Sequence, residues 1–279
     1  MIDTPPLAPL VAALAGPEEA WIRGELAKPP ATLRTALPLL LPGLARRLGR
    51  AGLTGAYVAG PIRADLSVWR RCDAGGTLLL GAADPVPDEA LIDLFLRGDL
   101  EERTILLRAT TLRPLGPTTS RLLDEVQRTN VLAHFEAACL DSNLAVRAFD
   151  AGLLSRDRFD RLVLKAAFND LPLSRMDGVV DRPGADLSRM LLDLASEREA
   201  AGRSIWRDTI RMAAGAPTPG TVARVLGGLE HGDAGLRQAA ADALLRLKRP
   251  DLAVYARERL DRENKPAVRE ALERALLPW

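Results

Sequence analysis

Two stretches near the C-terminus of this chain are versions of one another. Residues 236–244 read Leu-Arg-Gln-Ala-Ala-Ala-Asp-Ala-Leu, and residues 268–276 read Val-Arg-Glu-Ala-Leu-Glu-Arg-Ala-Leu. Arg237 and Arg269, Ala239 and Ala271, Ala243 and Ala275, and Leu244 and Leu276 each recur at an offset of 32 residues. A period near 30 residues marks a two-helix unit that cannot bury its apolar face alone and stacks on its neighbour. Asp233 falls at the first turn of one such helix, where a carboxylate complements the helix dipole. The rest of the 279 residues supports a helical reading: 47% are hydrophobic but only 4% aromatic. Ala and Leu dominate the apolar set, and these are the apolar residues that favour helix over strand.

Upstream the pattern is punctuated. To about Arg50 the chain reads as short helices separated at Pro17, Pro29, Pro30, Pro38 and Pro42, because proline removes an amide donor and starts or kinks helices. Residues 49–61 are glycine-rich, and an irregular stretch is expected through Asp73, Gly75 and Gly76. Thr77–Leu80 is the best strand candidate, too short to found a sheet. From Pro85 onward helices are expected around Leu91, Leu94 and Phe95, then Ile105–Leu107 after Gly98–Asp99. A long helix capped by Thr118 or Thr119 should reach about Leu140, with Leu122, Val126, Ala133 and Ala137 on one face. Another should run from Asp157, capped by Ser155, to Asn169. Pro172–Pro183 reads as a loop, and a helix from Ala185 to Ala201 should end at Gly202 in a left-handed cap.

The fold expected is all-α, a helical array or α-solenoid with little or no sheet. Its regions would be 1–84, 85–216 and 217–279. Net charge is +1, from 38 basic and 37 acidic residues, so no overall field draws the chain to nucleic acid or an anionic membrane. Leu7 to Ala15 is apolar, but Asp3 stands where a secretory leader carries Lys or Arg, and Pro5, Pro6 and Pro9 oppose a leader helix. No stretch has the length of a membrane span. Two cysteines, Cys72 and Cys139, suit a reducing cytoplasm.

No catalytic motif is visible. His134 and Cys139 lie five residues apart, about 140° around a helix, and do not converge on a metal; a core cysteine and an edge histidine are expected, with no metal and no cofactor. Gly49–Gly55 matches neither a phosphate loop nor a dinucleotide fingerprint. On the helix from Asp157, Phe159, Leu162, Val163, Ala166 and Ala167 surround Asp160, which projects into their apolar arc and needs a partner such as Arg128, Arg182 or Arg189. Lys165 lies beside Arg161 on the remaining polar strip.

The arginine of the C-terminal pattern resembles that of HEAT repeats. A second resemblance rests on Arg128-Thr129-Asn130, Phe135-Glu136-Ala137, Phe159, Val163-Leu164-Lys165-Ala166-Ala167-Phe168, Asp181-Arg182, Leu187, Arg189-Met190-Leu191-Leu192-Asp193, Glu197-Arg198 and Ala200-Ala201-Gly202-Arg203. This ordered run, from about Glu125 to Arg207, resembles the EboA family of bacterial ebo gene clusters, and Asp99–Pro114 follows the family's shape. The chain departs from it at Asp160, where an amide is usual, and at Leu194, Ser196 and Glu199, which replace Tyr, His and Trp. The repeats from about Thr218 extend past the family region.

The resemblance implies a part in making or moving a small secondary metabolite. Neighbouring genes of such clusters encode a prenyltransferase, a sugar-phosphate-cyclase-like protein, a metal-dependent hydrolase and a TIM-barrel protein, and in cyanobacteria the cluster is linked to export of a pigment precursor. No enzymatic activity attaches to EboA itself. Three functions stay open: a non-catalytic scaffold binding a metabolite or other ebo-cluster proteins; an enzyme acting on a phosphorylated or prenylated metabolite; and a helical-repeat nucleic-acid binder, against which the mixed charges of Asp251–Glu263 argue. Candidate ligand- or partner-binding residues are Arg128, Asn130, Glu136, Asp160, Lys165, Arg182, Arg189 and Asp193.

Overall fold

The computed structural model describes residues 8–16 and 18–277. Asp3, Pro5, Pro6, Leu7 and Pro17 lie outside them. The chain is mainly α-helical, with one two-stranded sheet among the described residues. It forms two compact units: residues 1–159 with 175–177, and residues 160–174 with 178–279. Among the described residues no helix is long and apolar enough to cross a membrane.

The first unit opens with α1 (Ala8–Ala12), α2 (Glu19–Leu26), α3 (Pro30–Leu40) and α4 (Leu44–Leu48). Pro29 and Pro30 start α3 as expected, whereas Pro38 is carried inside its last turns. The hairpin of β1 (Ala56–Ala59) and β2 (Ile62–Asp65) comes next, pairing Ala59 with Ile62 across Gly60-Pro61. Tyr57, Ile62 and Ala64 face inward while Val58 is exposed. The glycine-rich reading of this stretch missed these strands.

The expected strand at Thr77–Leu80 is instead the middle of a helix, α5 (Arg71–Ala82). It is buried on every side from Cys72 to Leu80, and a short apolar run buried all round carries no period that separates helix from strand. Gly75 and Gly76 are not breakers. A Cβ on Gly75 would collide with the Leu48 side chain, and one on Gly76 with Ile105. These glycines let α4 and α7 (Leu100–Thr111) pack directly on α5.

Before α7 comes α6 (Asp88–Arg97). Asp99 caps α7 by accepting the N–H groups of Glu101 and Glu102, and Glu102 reaches back to the Asp99 N–H, a reciprocal capping box. The single helix expected to Leu140 is two: α8 (Pro117–Arg128) and α9 (Leu132–Cys139). The break has a local cause. Thr129 is extended, and its Oγ1 accepts the Val131 N–H at 3.1 Å, offering the backbone an alternative to helix. Ala133, assigned to the core face, is exposed. The unit closes with α10 (Leu144–Asp150) and the start of α11 (Arg156–Phe168), where Ser155 Oγ accepts the Arg158 N–H.

The second unit takes α11 from Asp160 and adds α12 (Ala185–Ala200), α13 (Thr209–Ala213), α14 (Thr221–Leu229), α15 (Ala234–Leu247), α16 (Ala253–Arg262) and α17 (Pro266–Ala275). Gly202 is left-handed after α12, with φ +65°. α15 is the hub, packing against α13, α14 and α17, while α16 packs on α17. Its core joins Ile210, Val225, Leu229, Ala240, Leu244, Val268 and Leu272. The repeated arginines do equivalent work. Arg237 donates to the carbonyls of His231 and Gly232, and Arg269 to those of Leu260 and Glu263. Each ties its own helix to the carbonyl groups that end the one before. Asp233 is the N-cap of α15, accepting the Leu236 N–H at 3.0 Å.

Candidate functional site

Within the second unit, α12, α13 and α14 do not close on one another. They leave a cleft of about 420 Å³, a size suited to a small organic molecule. α12 supplies Ala195 and Glu199, the loop after it Ile205 and Trp206, and α13 Thr209 and Ile210. α14 presents Gly220, Ala223, Arg224, Gly227 and Gly228. Positions 220, 223 or 224, and 227 share one helical face, so this wall is nearly bare backbone. A Cβ on Gly227 would meet nothing within 4 Å.

The walls are held rigidly. Trp206 is buried and donates its Nε1–H to the Leu171 carbonyl at 2.9 Å. Arg224 donates to both Glu199 oxygens, at 2.6 and 2.5 Å, and to Ser196 Oγ at 2.9 Å. This clasp joins α14 to α12 across the mouth. Thr209 is only 3% exposed, and among the described residues its Oγ1 is a buried polar atom with no hydrogen-bond partner. Leaving a buried hydroxyl unsatisfied costs about 1–3 kcal/mol. The hydroxyl is shielded from the cleft, whose lining is mostly apolar.

A polar groove of about 950 Å³ adjoins the cleft, sharing Glu199, Ile205, Trp206, His231 and Leu236 with it. Its carboxylates are already engaged. Asp170 pairs with Arg198 at 2.5 Å and Asp242 with Arg274 at 3.2 Å, and Asp208 accepts the Leu173 N–H at 2.8 Å. Asp233 is held below the usual carboxylate range, chiefly by the Leu236 N–H. His231 Nδ1 accepts the Asp233 N–H at 2.9 Å, which places the ring proton on Nε2. The arginines are loosely held by comparison. Arg207 is 3.4 Å from Asp233 and Arg211 is 3.9 Å from Asp208. Arg203 is exposed on the groove's edge.

Residues 77–213 match the family model described as metabolite traffic protein EboA. The chain carries an EboA-family segment. No curated protein and no solved structure matches the chain. The EboA segment begins within α5 and ends with α13, so it supplies the α12 and α13 walls of the cleft, and the helices beyond it supply α14. Ser196 and Glu199, two positions where the sequence departs from the EboA pattern, are the residues that clasp Arg224.

The candidates named from sequence fall in both units. Arg128, Asn130 and Glu136 belong to the first. Arg128 is exposed, 3.9 Å from Glu125, and Asn130 is exposed at the break between α8 and α9. Glu136 accepts from Arg175 at 2.9 Å, and Arg175 also grips Asp141 through two bonds. Asp73, buried at the start of α5, is similarly held by Arg70. Burial lowers the neighbouring Arg108 guanidinium from its ordinary value. These are ion pairs that stitch helix ends to the hairpin region.

Asp160, Lys165, Arg182, Arg189 and Asp193 belong to the second unit. Asp160 is buried at 2% exposure, as its place in the apolar arc predicts. Lys165 is half-buried, Arg182 donates to the Gly178 carbonyl at 2.8 Å, and Asp193 is exposed. Arg189 is exposed and pairs with Asp186 one turn away. None of the eight lines the cleft or the groove. His134, expected at an edge, is a core residue: it is 1% exposed, its Nε2 is bonded to the Leu100 carbonyl, and it meets Phe95 edge-on. Among the described residues no group of three or more His, Cys, Asp or Glu is placed to hold a metal ion.

The cleft itself was missed by sequence reasoning. Its one legible signal is Gly227-Gly228 inside an apolar helix: Gly228 is needed for close packing on Ile210 and Ala240, whereas Gly227 meets no neighbour.

Proposed function

We propose that this chain is a non-catalytic helical scaffold that holds a small metabolite during its biosynthesis or transfer, with the α12–α13–α14 cleft as the binding site. The observation that carries the reading is an apolar cleft of ligand size beside a helix wall left open at Gly227. The EboA description as a metabolite traffic protein supplies the ligand's general class. Other proteins of the ebo cluster are the natural partners for hand-over, and transfer leading to export fits the same scheme. The C-terminal helix pairs are read as HEAT-like, supported by the matching carbonyl contacts of Arg237 and Arg269. The chain is read as cytoplasmic, which suits two buried, unbridged thiols. The enzyme alternative gains no support from the candidate charges, since Arg128 and Arg189 are exposed beside carboxylates on their own helices.

The test is native mass spectrometry of the protein purified from its own host, alongside Gly227→Leu. Leucine at 227 grows into open space from a helical residue, so the fold is kept while the cleft is filled. A small-molecule adduct on the natural protein that is absent from the variant is expected. Identical spectra from the two proteins refute the reading.

A further inference from the structure

The geometry points to an amphiphilic anion as the ligand: an apolar body seated in the cleft against Ile205, Ile210 and the α14 glycines, and an anionic head in the groove facing Arg203, Arg207 and Arg211. This rests on the cleft being the binding site, as proposed above, and adds the chemistry of the molecule it takes.

Two observations carry it. First, cleft and groove adjoin, sharing Ile205, Trp206 and Leu236 in their linings, which places an apolar hollow next to a charged one. Second, the groove's two kinds of charge are unequally committed. Asp170, Asp208 and Asp242 each accept from a partner between 2.5 and 3.2 Å, and Asp233 is spent on capping α15. Arg207 and Arg211 reach their nearest carboxylates only at 3.4 and 3.9 Å, beyond charge-assisted hydrogen-bond lengths. A cation would find the carboxylates occupied, whereas an anion finds guanidinium N–H groups still able to donate. A carboxylate and a phosphate head satisfy the groove equally.

The experiment uses the purified full chain and two fluorescent probes that share one aromatic body. Anilinonaphthalene sulfonate carries the anionic head and phenylnaphthylamine lacks it. At low salt the sulfonate is expected to bind at least about tenfold more tightly than the neutral probe. The preference should vanish in Arg203→Gln/Arg207→Gln/Arg211→Gln, which retains its affinity for the neutral probe. Inorganic phosphate should displace the sulfonate but not the neutral probe.

Equal affinities for the two probes, both abolished by Gly227→Leu, overturn the anionic class while leaving the cleft as the binding site. Binding of either probe that is indifferent to Gly227→Leu overturns the cleft reading and this inference together. Far-UV circular dichroism and thermal midpoints of each variant separate lost binding from lost folding.

Discussion

Glu263 is the most heavily used acceptor in the C-terminal helices, and replacing it with glutamine tests how they are held. Its side chain is fully buried. It accepts from Arg237 at 2.7 and 3.1 Å, from Arg259 at 2.8 and 3.2 Å, and from the N–H groups of Asn264 and Lys265 at 3.0 Å each. Those donors hold its carboxyl far below the usual range, with the Arg237 guanidinium the largest cause. In Glu263→Gln one acceptor oxygen becomes a donor, Arg237 loses its counter-charge, and Arg259 keeps only Glu230, at 3.4 Å. Breaking a buried ion pair costs about 3–5 kcal/mol. Arg237 keeps its bonds to His231 and Gly232, which sets the expectation near the lower bound, about 3 kcal/mol. That corresponds to roughly a hundredfold faster amide exchange across α16 and α17 if exchange reports local opening.

Hydrogen–deuterium exchange by mass spectrometry resolves those helices from the rest. Arg237→Met added to Glu263→Gln should cost less than the sum of the two single changes, because the ion pair is lost only once, while the bonds to the His231 and Gly232 carbonyls are lost in addition. The pH dependence carries a sign. A carboxyl lowered on folding stabilises the fold above its unfolded value and loses that contribution as pH falls through the folded one. The natural protein's C-terminal protection should therefore be full above pH 4.5, the ordinary glutamate value, and decline progressively as pH falls below it. Exchange that differs less than about threefold between Glu263→Gln and the natural chain would show that the ion pair is structurally idle.

Other consequences are equally open to measurement. Gly75→Ala drives a methyl group into Leu48 and should cost about 1–3 kcal/mol in urea unfolding, whereas Gly227→Ala should be neutral or stabilising. Burial lowers His134 below its ordinary value, so the folded chain binds that proton less readily than the unfolded one. Stability should then decline as pH falls from about 6.5, and His134→Gln, which can still donate to the Leu100 carbonyl, should flatten that decline in urea midpoints. Burial, with Asp73 nearby, pushes the Cys72 thiol up to about 11, and Cys139 is buried too. A disulfide exchange reagent should titrate neither thiol in the native protein within minutes and both in denaturant.

Much of the helical layout was legible because helices announce their ends locally. Ser155 and Gly202 are found where capping rules place them, and Arg237 and Arg269, paired by the 32-residue offset, make matching carbonyl contacts. The failures share a cause. Thr77–Leu80 and Gly75-Gly76 take their meaning from Leu48 and Ile105, partners distant in the chain, so local rules misassigned α5. Thr129 diverted its hydroxyl to the Val131 N–H, a choice that competes with helix and leaves no trace in apolar spacing. The cleft was harder still. It is a space between α12, α13 and α14, and its strongest mark is Gly227, a glycine lacking neighbours. Charged residues drew attention instead, and Glu136 and Arg189 proved to be neighbours' ion-pair partners.

The Arg224 clasp on Ser196 and Glu199 means that the family segment is not a finished vessel. Cut after Ala213, the chain would keep Ile210 and Ala195 but lose the wall opposite them, turning a sheltered hollow into a greasy surface patch. Residues 77–213 expressed alone would tend to self-associate through that patch. The helices that follow them in this chain thus govern the depth of the hollow.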